Sequence, residues 1–382
     1  MRWAQMLIFL AVLVAITAGL HAFLWQQLVR APGWSVEVTR WATRGVWALA
    51  ATIPLSLLLM RALPRPVAMG FAWVAYVWMG LAFFLFSFLL VGWAVKVVAV
   101  AVDPSRRELL SRLLAGGAGL AALATGVVAV RVALDRVAVK TVRVTLPKLP
   151  AAFEGMSIVQ LTDVHVGPTI GKGFIEGLVE RCNALDPDVV VITGDLVDGS
   201  VAELGEHVAP LRGLRAREGV YFVTGNHEYY SGVDEWLAFL TAMGVRVLRN
   251  ERVELTRDGA SVDLAGVDDW SARRSGVEGH RPDLEAALRG RDESRAVVLL
   301  AHQPKAVSQA AAKGVDLVLS GHTHGGQIWP WSYLVKLDQP YLAGLHREGP
   351  TQVYVSEGTG YWGPPMRLGT HGEITRVLLS RA

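Results

Sequence analysis

Long uncharged apolar stretches dominate the first third of the chain. A helix that crosses a bilayer needs about 20 mostly apolar residues, and four segments meet or approach that length: residues 3–29, 45–60, 66–95 and 113–130. Several tryptophans fall near the ends of these segments, where an interfacial aromatic belt places them. We therefore predict an all-α transmembrane region of about four helices within residues 1–134, with Pro54 bending the second helix.

Three features of these segments bear on their interpretation. A cleaved signal peptide is the alternative for the first stretch, but its apolar run is too long for a signal core and three more runs follow, so we favour a retained span. In the fourth segment Ala118, Ala122 and Gly126 recur every four residues, a spacing that permits close helix packing. His21 is the one ionisable residue within the segments. Its position near a segment end favours a hydrogen-bonded or interfacial histidine over a functional one.

Beyond residue 130 the pattern changes. Apolar residues alternate with polar ones, which predicts a strand or an extended linker over residues 135–150. From residue 151 to 382 short apolar runs alternate with helical stretches, which is typical of an α/β domain. The runs predicted as buried strands are residues 157–162, 189–193, 220–224, 297–301 and 316–320. The predicted helices are residues 173–185, 201–214, 233–243, 282–288 and 304–312.

Composition supports this division into two unlike parts. The chain is 52% apolar and only 19% charged, against about 25% charged residues in soluble domains. Residues 1–134 hold 11 Lys and Arg and 3 Asp and Glu, a net +8; the remaining 26 basic and 31 acidic residues give −5. These values exclude a wholly soluble protein, a disordered chain and a basic nucleic-acid-binding module. We expect no nucleic-acid partner.

Charge around the spans bears weakly on orientation. Four spans place both chain ends on one side of the plasma or inner membrane, and that side has eight Lys and Arg against seven on the other. The positive-inside rule then favours cytoplasmic ends by one residue, so the side of the membrane on which the α/β domain lies stays open. The single cysteine, Cys182, excludes an intrachain disulfide and a multi-cysteine zinc site, and its helical setting favours an inert thiol.

Metal-ligand residue types follow each of the five predicted strands. The segments are Asp163-Val164-His165, Gly194-Asp195 with Asp198, Gly225-Asn226-His227-Glu228, His302, and Gly321-His322-Thr323-His324. Ligands bind at the carboxyl ends of strands in open α/β sheets. Carboxylate and imidazole ligands suit Mn, Fe, Zn or similar ions. Two ions about 3.5–4 Å apart, bridged by a carboxylate, can clamp both oxygens of a phosphoryl transfer.

The ordered set D-x-H, G-D-x-x-D, G-N-H-E, a lone His and G-H-T-H resembles the calcineurin-like metallophosphoesterase superfamily over about residues 155–380. The longer block G-H-T-H-G-G-Q and the tail from Ser356 to Ile374 resemble its bacterial membrane-associated branch. The resemblance implies an α/β fold: a four-layer α-β-β-α sandwich in which helices flank two mixed sheets.

The same resemblance assigns roles. It implies two divalent metal ions, of Mn, Fe, Zn or Mg, and a metal-activated water that attacks phosphorus. Ligands of the first ion would be Asp163, His165 and His324, those of the second Asn226, His302 and His322, and Asp195 would bridge the two. His227 would not be a ligand but would act near the leaving group as general acid or transition-state stabiliser, oriented by Asp198. Glu228 has no implied role, and we expect it to cap the following helix.

We therefore predict a membrane-anchored, metal-dependent phosphoesterase that hydrolyses a phosphate ester or pyrophosphate, with a lipid-linked substrate as one option. A phosphodiesterase of soluble nucleotides, with the spans as anchor only, is an alternative. A metal-dependent membrane sensor or scaffold is another, although such a protein would not need the His227–Asp198 pair. A transport path finds little support, because His21 is the only ionisable residue in the spans.

Two further groups of residues are ambiguous. Residues 328–349 contain Trp329, Trp331, Tyr333, Leu334, Tyr341 and Leu342 directly after the last histidine block. They predict either a hydrophobic rim that touches lipid or an ordinary loop. Arg273 and Arg274 could bind a substrate phosphate, but solvated loop charges are favoured. We expect no metal at His207, His280, His346 or His371.

Overall fold

The computed structural model describes residues 3–102 and 106–382. The chain divides into two compact units. The first contains the described residues up to Leu134 together with Gly363–Met366, and the second contains Asp135–Trp362 and Arg367–Ala382.

Long apolar helices make up the first unit. Among its described residues, four helices are long and apolar enough to cross a membrane: α1 (Trp3–Trp25, continued by a π-helix over Gln26–Arg30), α2 (Val36–Ala62), α3 (Arg65–Val102) and α4 (Arg107–Leu134). Side chains such as Leu7, Ile16 and Leu120 are exposed on these helices. Soluble proteins rarely expose so much apolar surface to water. This unit makes the chain a membrane protein. Each helix other than the first extends past the predicted segment at both ends.

Small residues allow close packing between α3 and α4. Ala118, Ala122 and Gly126 are buried on α4, and a Cβ atom added at Gly126 would overlap the side chain of Leu81 on α3. The spacing of four residues places the three on one face of the helix. The backbones of the two helices therefore approach each other along this face.

His21 has both ring nitrogens satisfied within the first unit. Trp78 Nε1 donates to His21 Nε2 over 2.9 Å. Because an indole N–H can only donate, the imidazole proton sits on Nδ1, which donates to the Thr17 carbonyl over 2.8 Å. His21 is thus a neutral, hydrogen-bonded histidine that ties α1 to α3.

The described part of the second unit forms two six-stranded sheets. The strands are β1 (Ala138–Leu146), β2 (Ser157–Leu161), β3 (Val189–Thr193), β4 (Val220–Val223), β5 (Arg246–Val247), β6 (Glu251–Arg257), β7 (Ala260–Gly266), β8 (Val297–Leu300), β9 (Leu317–Ser320), β10 (Gly344–Glu348), β11 (Thr351–Val355) and β12 (Glu373–Arg381). Their orders are β1-β12-β2-β3-β4-β5 and β10-β11-β9-β8-β7-β6. Both sheets are mixed, since β12 is antiparallel to β2, and β6 to β7, among parallel neighbours.

The main core lies between the two sheets. Val144, Ile158 and Val191 from the first sheet join Leu264 and Leu319 from the second in one buried cluster. Helical residues such as Val307 and Ala310 pack on the other face of the second sheet. The helices of this unit are α5 (Lys172–Asn183), α6 (Val201–Val208), α7 (Asn226–Ser231), α8 (Val233–Ala242), α9 (Ala272–Ser275), α10 (Leu284–Ala287), α11 (Val307–Ala312) and α12 (Ser332–Val335). This arrangement confirms the predicted fold class.

The segment predicted as a strand or an extended linker is a strand of the first sheet. β1 pairs in parallel with β12 over its full length, from Ala138 opposite Glu373 to Leu146 opposite Arg381. It buries Val144 and Leu146 in the core between the sheets. These residues therefore belong structurally to the α/β unit.

Three predicted helices are shorter than expected. The helix predicted over residues 201–214 ends at Val208 and continues as a 3₁₀-helix over Ala209–Gly213, because Pro210 cannot donate to the preceding turn. The segment over residues 304–312 likewise begins as a 3₁₀-helix at Pro304. The helix predicted over residues 282–288 is a single turn, α10.

Candidate metal centre

The predicted ligands lie in the loops that follow β2, β3, β4, β8 and β9. The first three strands are parallel neighbours in one sheet, and the last two are parallel neighbours in the other. Their carboxyl ends therefore point to the same edge of the sandwich, where the loops meet. Main-chain bonds join the loops: Asp163 N–H donates to the Gly194 carbonyl, and His165 N–H to the Asp195 carbonyl, each over 3.1 Å.

The side chains converge on one point. Three overlapping groups each place their ligand atoms within 4.8 Å of one another: Asp163, His165 and His324; His165, Asp195 and His227; Asp195, His302 and His322. Asn226 joins the third group, since its Oδ1 lies 3.3 Å from His302 Nε2. The structure thus brings together all seven predicted ligands, with Asp195 shared between two groups.

The donor set fits two divalent cations. His165 Nε2 and His324 Nε2 lie 3.0 Å apart, and His302 Nε2 and His322 Nδ1 lie 3.2 Å apart. Ring nitrogens that face each other this closely can share only one proton, so a cation satisfies both lone pairs. Two carboxylates, an amide oxygen and four imidazoles also match the ligand preferences of Mn, Fe and Zn.

Backbone hydrogen bonds orient the ligand side chains. His302 Nδ1 donates to the Thr193 carbonyl over 2.8 Å, which turns Nε2 toward the Asp195 carboxylate at 3.1 Å. Asp163 Oδ1 accepts the main-chain N–H of His322 over 2.9 Å. Such supporting bonds fix the direction of a metal ligand before any metal arrives.

Five of the seven predicted ligands have a strained backbone. Their φ angles are positive, in the left-handed region that non-glycine residues rarely adopt: Asp163 (52°), His165 (53°), Asp195 (50°), His322 (72°) and His324 (49°). Each such residue costs on the order of 1 kcal/mol and persists where the surroundings enforce it. Strain concentrated at one site marks that site as functional.

Two glycines in the motifs are required by close approach. A Cβ atom at Gly225 would overlap the main-chain nitrogen and the carboxylate of Asp195, and one at Gly321 would overlap the side chains of Thr162 and Asp163. Neither glycine has a positive φ. Their role is therefore to let the loops approach each other.

Asp198 holds two histidines at once. Its Oδ1 accepts from His227 Nδ1 over 2.6 Å and from His165 Nδ1 over 3.1 Å. Burial lowers the pKa of His227, but the carboxylates of Asp195 and Asp198 outweigh burial and raise this pKa to about 9. Burial raises the pKa of Asp198, but His165 and His227 outweigh it and keep the carboxyl ionised. A hydrogen bond of 2.6 Å thus joins His227 to a carboxylate.

Glu228 does more than cap a helix, which is all that sequence reasoning expected. Its buried carboxylate accepts main-chain N–H groups from Gly225 (2.6 Å), Asp195 (3.0 Å) and Leu196 (2.8 Å). The first bond caps α7, and the other two fasten the loop that carries Asp195. Its place within the block G-N-H-E was the available signal.

Arg367 is a second residue that the sequence did not reveal. Its side chain is fully buried and donates to the carbonyls of Glu357 (2.8 Å), Gly360 (3.1 Å from Nε) and His324 (3.4 Å). One guanidinium therefore ties the C-terminal tail to a predicted metal ligand. No motif surrounds it, so only the folded chain shows this role.

Other candidate residues lie outside the centre. Arg273 stacks over the Trp270 ring at 4.3 Å and is exposed, as is Arg274. His280 pairs with Asp234 over 3.0 Å. Within the described residues, the metal-ligand clusters do not include His207, His280, His346 or His371.

The aromatic stretch after the last histidine block divides in two. Its first part is exposed: Trp329, Trp331, Tyr333, Leu334 and Leu337 are each at least half accessible, and we call these five residues the apolar rim. Its second part is tucked in, since Tyr341 stacks on His346 at 4.5 Å and the Leu342 carbonyl accepts from Thr323. The second part is thus an ordinary loop packed on the domain, and the first part is an exposed apolar surface.

Comparisons with known proteins agree with this geometry. The calcineurin-like phosphoesterase family profile matches residues 156–326. A "Transmembrane protein with metallophosphoesterase domain" of Bos taurus is 46% identical over 255 residues, 64% of this chain and 57% of that protein; its namesake in Danio rerio is 44% identical over 252 residues, 64% and 58%. This chain thus spans under two thirds of both relatives. An "Uncharacterized metallophosphoesterase" of Helicobacter pylori strain J99 is 41% identical over 298 residues, 78% of each chain. The chain belongs to the calcineurin-like metallophosphoesterase family of phosphate-ester hydrolases.

Proposed function

We propose that this protein is a membrane-anchored phosphoesterase that uses two divalent metal ions to hydrolyse a phosphate ester or a pyrophosphate. One observation carries the proposal: seven oxygen and nitrogen ligands from five loops converge around Asp195 in a chain of a phosphoesterase family. Four apolar helices in the described residues support the membrane anchor.

The ligands divide into two sets that share one carboxylate. Asp163, His165 and His324 would hold one ion, and Asp195 would bridge it to the other, held by Asn226, His302 and His322. When bound, the ions supply positive charge for the phosphoryl oxygens and acidify water. The chain supplies the alignment, because each set takes ligands from both sheets of the sandwich: His324 joins Asp163 and His165, and Asn226 joins His302 and His322.

His227 is proposed as the proton donor to the leaving oxygen. Its Nδ1–H is committed to Asp198, and its main-chain N–H donates to Asp195 Oδ1 over 2.9 Å. Its other ring nitrogen, Nε2, lies 3.9 Å from Asp195 Oδ2 and so faces the centre. A fixed imidazole with one free nitrogen beside the reacting group is the geometry of general-acid catalysis.

Hydrolysis of a panel of esters tests the proposal. The detergent-purified chain would be offered phosphomonoesters, phosphodiesters and lipid pyrophosphates with Mn, Mg, Zn or Fe. Asp195→Asn should lose the metal-dependent turnover, while Asp258→Asn, at an exposed turn, should keep it. If no ion supports turnover although two metals bind per chain, the protein is a sensor or scaffold. His227→Ala separates the same two possibilities, since only an enzyme needs the proton donor.

The apolar rim supports a lipid-linked substrate. Exposed aromatic and leucine side chains that follow the metal-binding block are suited to an acyl or isoprenyl chain, or to a bilayer surface. We expect Trp329→Ala combined with Trp331→Ala to lower turnover of a lipid ester in vesicles about tenfold and to spare a soluble chromogenic ester. The exposed Leu345→Ala on β10 is the control. Equal losses on both esters would remove the lipid from the proposal.

The proposed orientation places both chain ends and the α/β unit in the cytoplasm, on the excess of one basic residue. Protease digestion of sealed vesicles tests it. The α/β unit should be cleaved in inverted vesicles and protected in right-side-out vesicles, and the reverse result would place it outside.

A further inference from the structure

Two exposed aromatic side chains stand next to His227. The ring centroid of Tyr230 lies 5.5 Å from that of His227, and the ring centroid of Trp362 lies 5.4 Å from it. Both rings are close to perpendicular to the imidazole, at 75° and 73°. Tyr230 is 70% exposed and Trp362 is 55% exposed, so neither ring is spent on the core.

Both rings are held by segments that carry predicted metal ligands, Tyr230 as part of such a segment and Trp362 through hydrogen bonds to one. Tyr230 lies on α7, one helical turn after His227, and thus on the same face of that helix. Trp362 is anchored by its main chain: its N–H donates to Gln327 Oε1 and its carbonyl accepts from Gln327 Nε2, each over 2.9 Å. Gln327 closes the block that holds His322 and His324.

Both side chains expose apolar surface to solvent and add little to the packing of the core. An exposed indole and an exposed phenol ring can each bury a large apolar area against a ligand. The neighbouring centre is lined by carboxylates and imidazoles, so the reacting phosphate belongs there. The two rings can then contact the part of the substrate that is attached to the leaving oxygen.

We propose that Tyr230 and Trp362 form the leaving-group subsite, and that the substrate is an ester whose leaving group carries an apolar surface, an aromatic ring or a hydrocarbon chain, beside the scissile oxygen. This inference rests on the proposed function, because His227 marks the leaving-group side only if it donates the proton there. It concerns two residues outside the apolar rim, which would contact lipid further from the reacting bond.

Leaving-group variation tests the subsite. Phenyl, octyl and glyceryl leaving groups would be compared within whichever ester class the wild-type chain hydrolyses fastest. The variants are Tyr230→Ala, Trp362→Ala and the conservative Trp362→Phe, with Leu345→Ala as an exposed apolar control. Inhibition by inorganic phosphate, which needs only the metal centre, reports on any damage to that centre.

For the alanine variants we expect KM to rise about tenfold for the phenyl ester, the octyl ester or both, with kcat nearly unchanged. KM for the glyceryl ester and the inhibition constant of phosphate should stay within about twofold, and Trp362→Phe should restore most of the affinity. A rise for phenyl alone identifies a ring, and a rise for octyl alone a chain.

Equal changes in KM for all three leaving groups, or no change in KM for any of them, would overturn the subsite but not the proposed phosphoesterase function. A change in phosphate inhibition as large as the change in KM would also overturn it, because the rings would then support the metal centre. Failure of the proposed function would give a different result. The wild-type chain would then show no turnover that Asp195→Asn abolishes, and the subsite would be excluded together with the function.

Discussion

At the residue scale, the metal centre depends on backbone conformations that its residues do not prefer. Asp163, His165, Asp195, His322 and His324 all have positive φ, and hydrogen bonds from outside the ligand set keep them there. The Glu228 carboxylate accepts three main-chain N–H groups, and the Arg367 guanidinium ties the tail to the His324 carbonyl. Neither Glu228 nor Arg367 is a predicted ligand, yet both position predicted ligands through hydrogen bonds to the main chain.

Replacing Glu228 tests this support. Glu228→Gln keeps the shape of the side chain, but its NH₂ group cannot accept the N–H of Asp195 or Gly225. We expect metal affinity to fall about tenfold to a hundredfold, measured as metal content after dialysis, with the fold intact by circular dichroism. Glu235→Gln, at an exposed position on α8, is the matched control. Unchanged metal affinity would show that the carboxylate only caps α7.

Cys182 gives a prediction that does not involve the metal. Burial raises the pKa of its thiol to about 12, so at pH 8 the thiolate, which is the reactive form, is about one part in ten thousand. Ellman's reagent should therefore react with the denatured chain within minutes and with the folded chain only over hours. Because the pKa is raised, reactivity should increase as pH rises toward 10. Rapid labelling at pH 8 would contradict the buried position on α5.

At the element scale, apolar runs predicted the strands that carry the site, and their neighbours were missed. β2, β3, β4, β8 and β9 lie within one or two residues of the predicted runs, because strands buried on both faces are continuously apolar. β6, β10 and β12 pair with only one neighbour or lie near an edge, so polar residues interrupt their patterns. The hairpin between β6 and β7 has a local signal in the sequence, because its turn is Asp258-Gly259 and Asp-Gly is a favoured two-residue hairpin turn.

Packing of α3 on α4 can be tested with two glycines of one helix. Gly126→Leu should lower the melting temperature in detergent by several degrees, because a larger side chain overlaps Leu81 and overpacking costs about 1–3 kcal/mol. Gly117→Leu, where no atom lies within 4 Å of the added Cβ, should leave it unchanged or raise it. Equal effects at both positions would mean that helix propensity, and not the contact, is being measured.

At the scale of the whole molecule, the chain combines a unit for the bilayer with a unit for chemistry. The net charges of +8 and −5 on the two parts of the sequence reflect this division. In the membrane unit, both ring nitrogens of His21 are hydrogen-bonded, one to the Thr17 carbonyl and the other to the Trp78 side chain. This leaves the α/β unit to carry the metal-dependent properties of the protein.

Metal removal should therefore affect stability as well as turnover. Binding of two ions to the folded state offsets ligand strain and the proximity of the carboxylates Asp163 and Asp195. We expect chelation to lower the melting temperature of the α/β unit by roughly 5–10 °C and re-addition of Mn to restore it, followed by calorimetry in detergent. Asp195→Asn should show little of this shift. A chelator effect of equal size in that variant would point to metal bound elsewhere.

The order of the motifs along the chain was sufficient to name the family and all seven residues that meet at the centre. Apolar length was sufficient to predict the membrane region, because bilayer thickness sets a simple requirement on sequence. Periodicity and motif spacing are local properties of the sequence. They therefore predict only features that residues close in sequence determine.

The remaining features needed the folded chain, since each joins residues that are far apart in sequence. β1 joins the sheet only through β12, more than 200 residues later. Arg367 supports His324 because they follow β11 and β9, which are parallel neighbours in one sheet. Trp362 stands beside His227 because loops from two sheets share one edge. Gly225 and Gly321 are required by atoms of other loops. Tertiary contacts of this kind decide which side chains support the centre and which remain for the substrate.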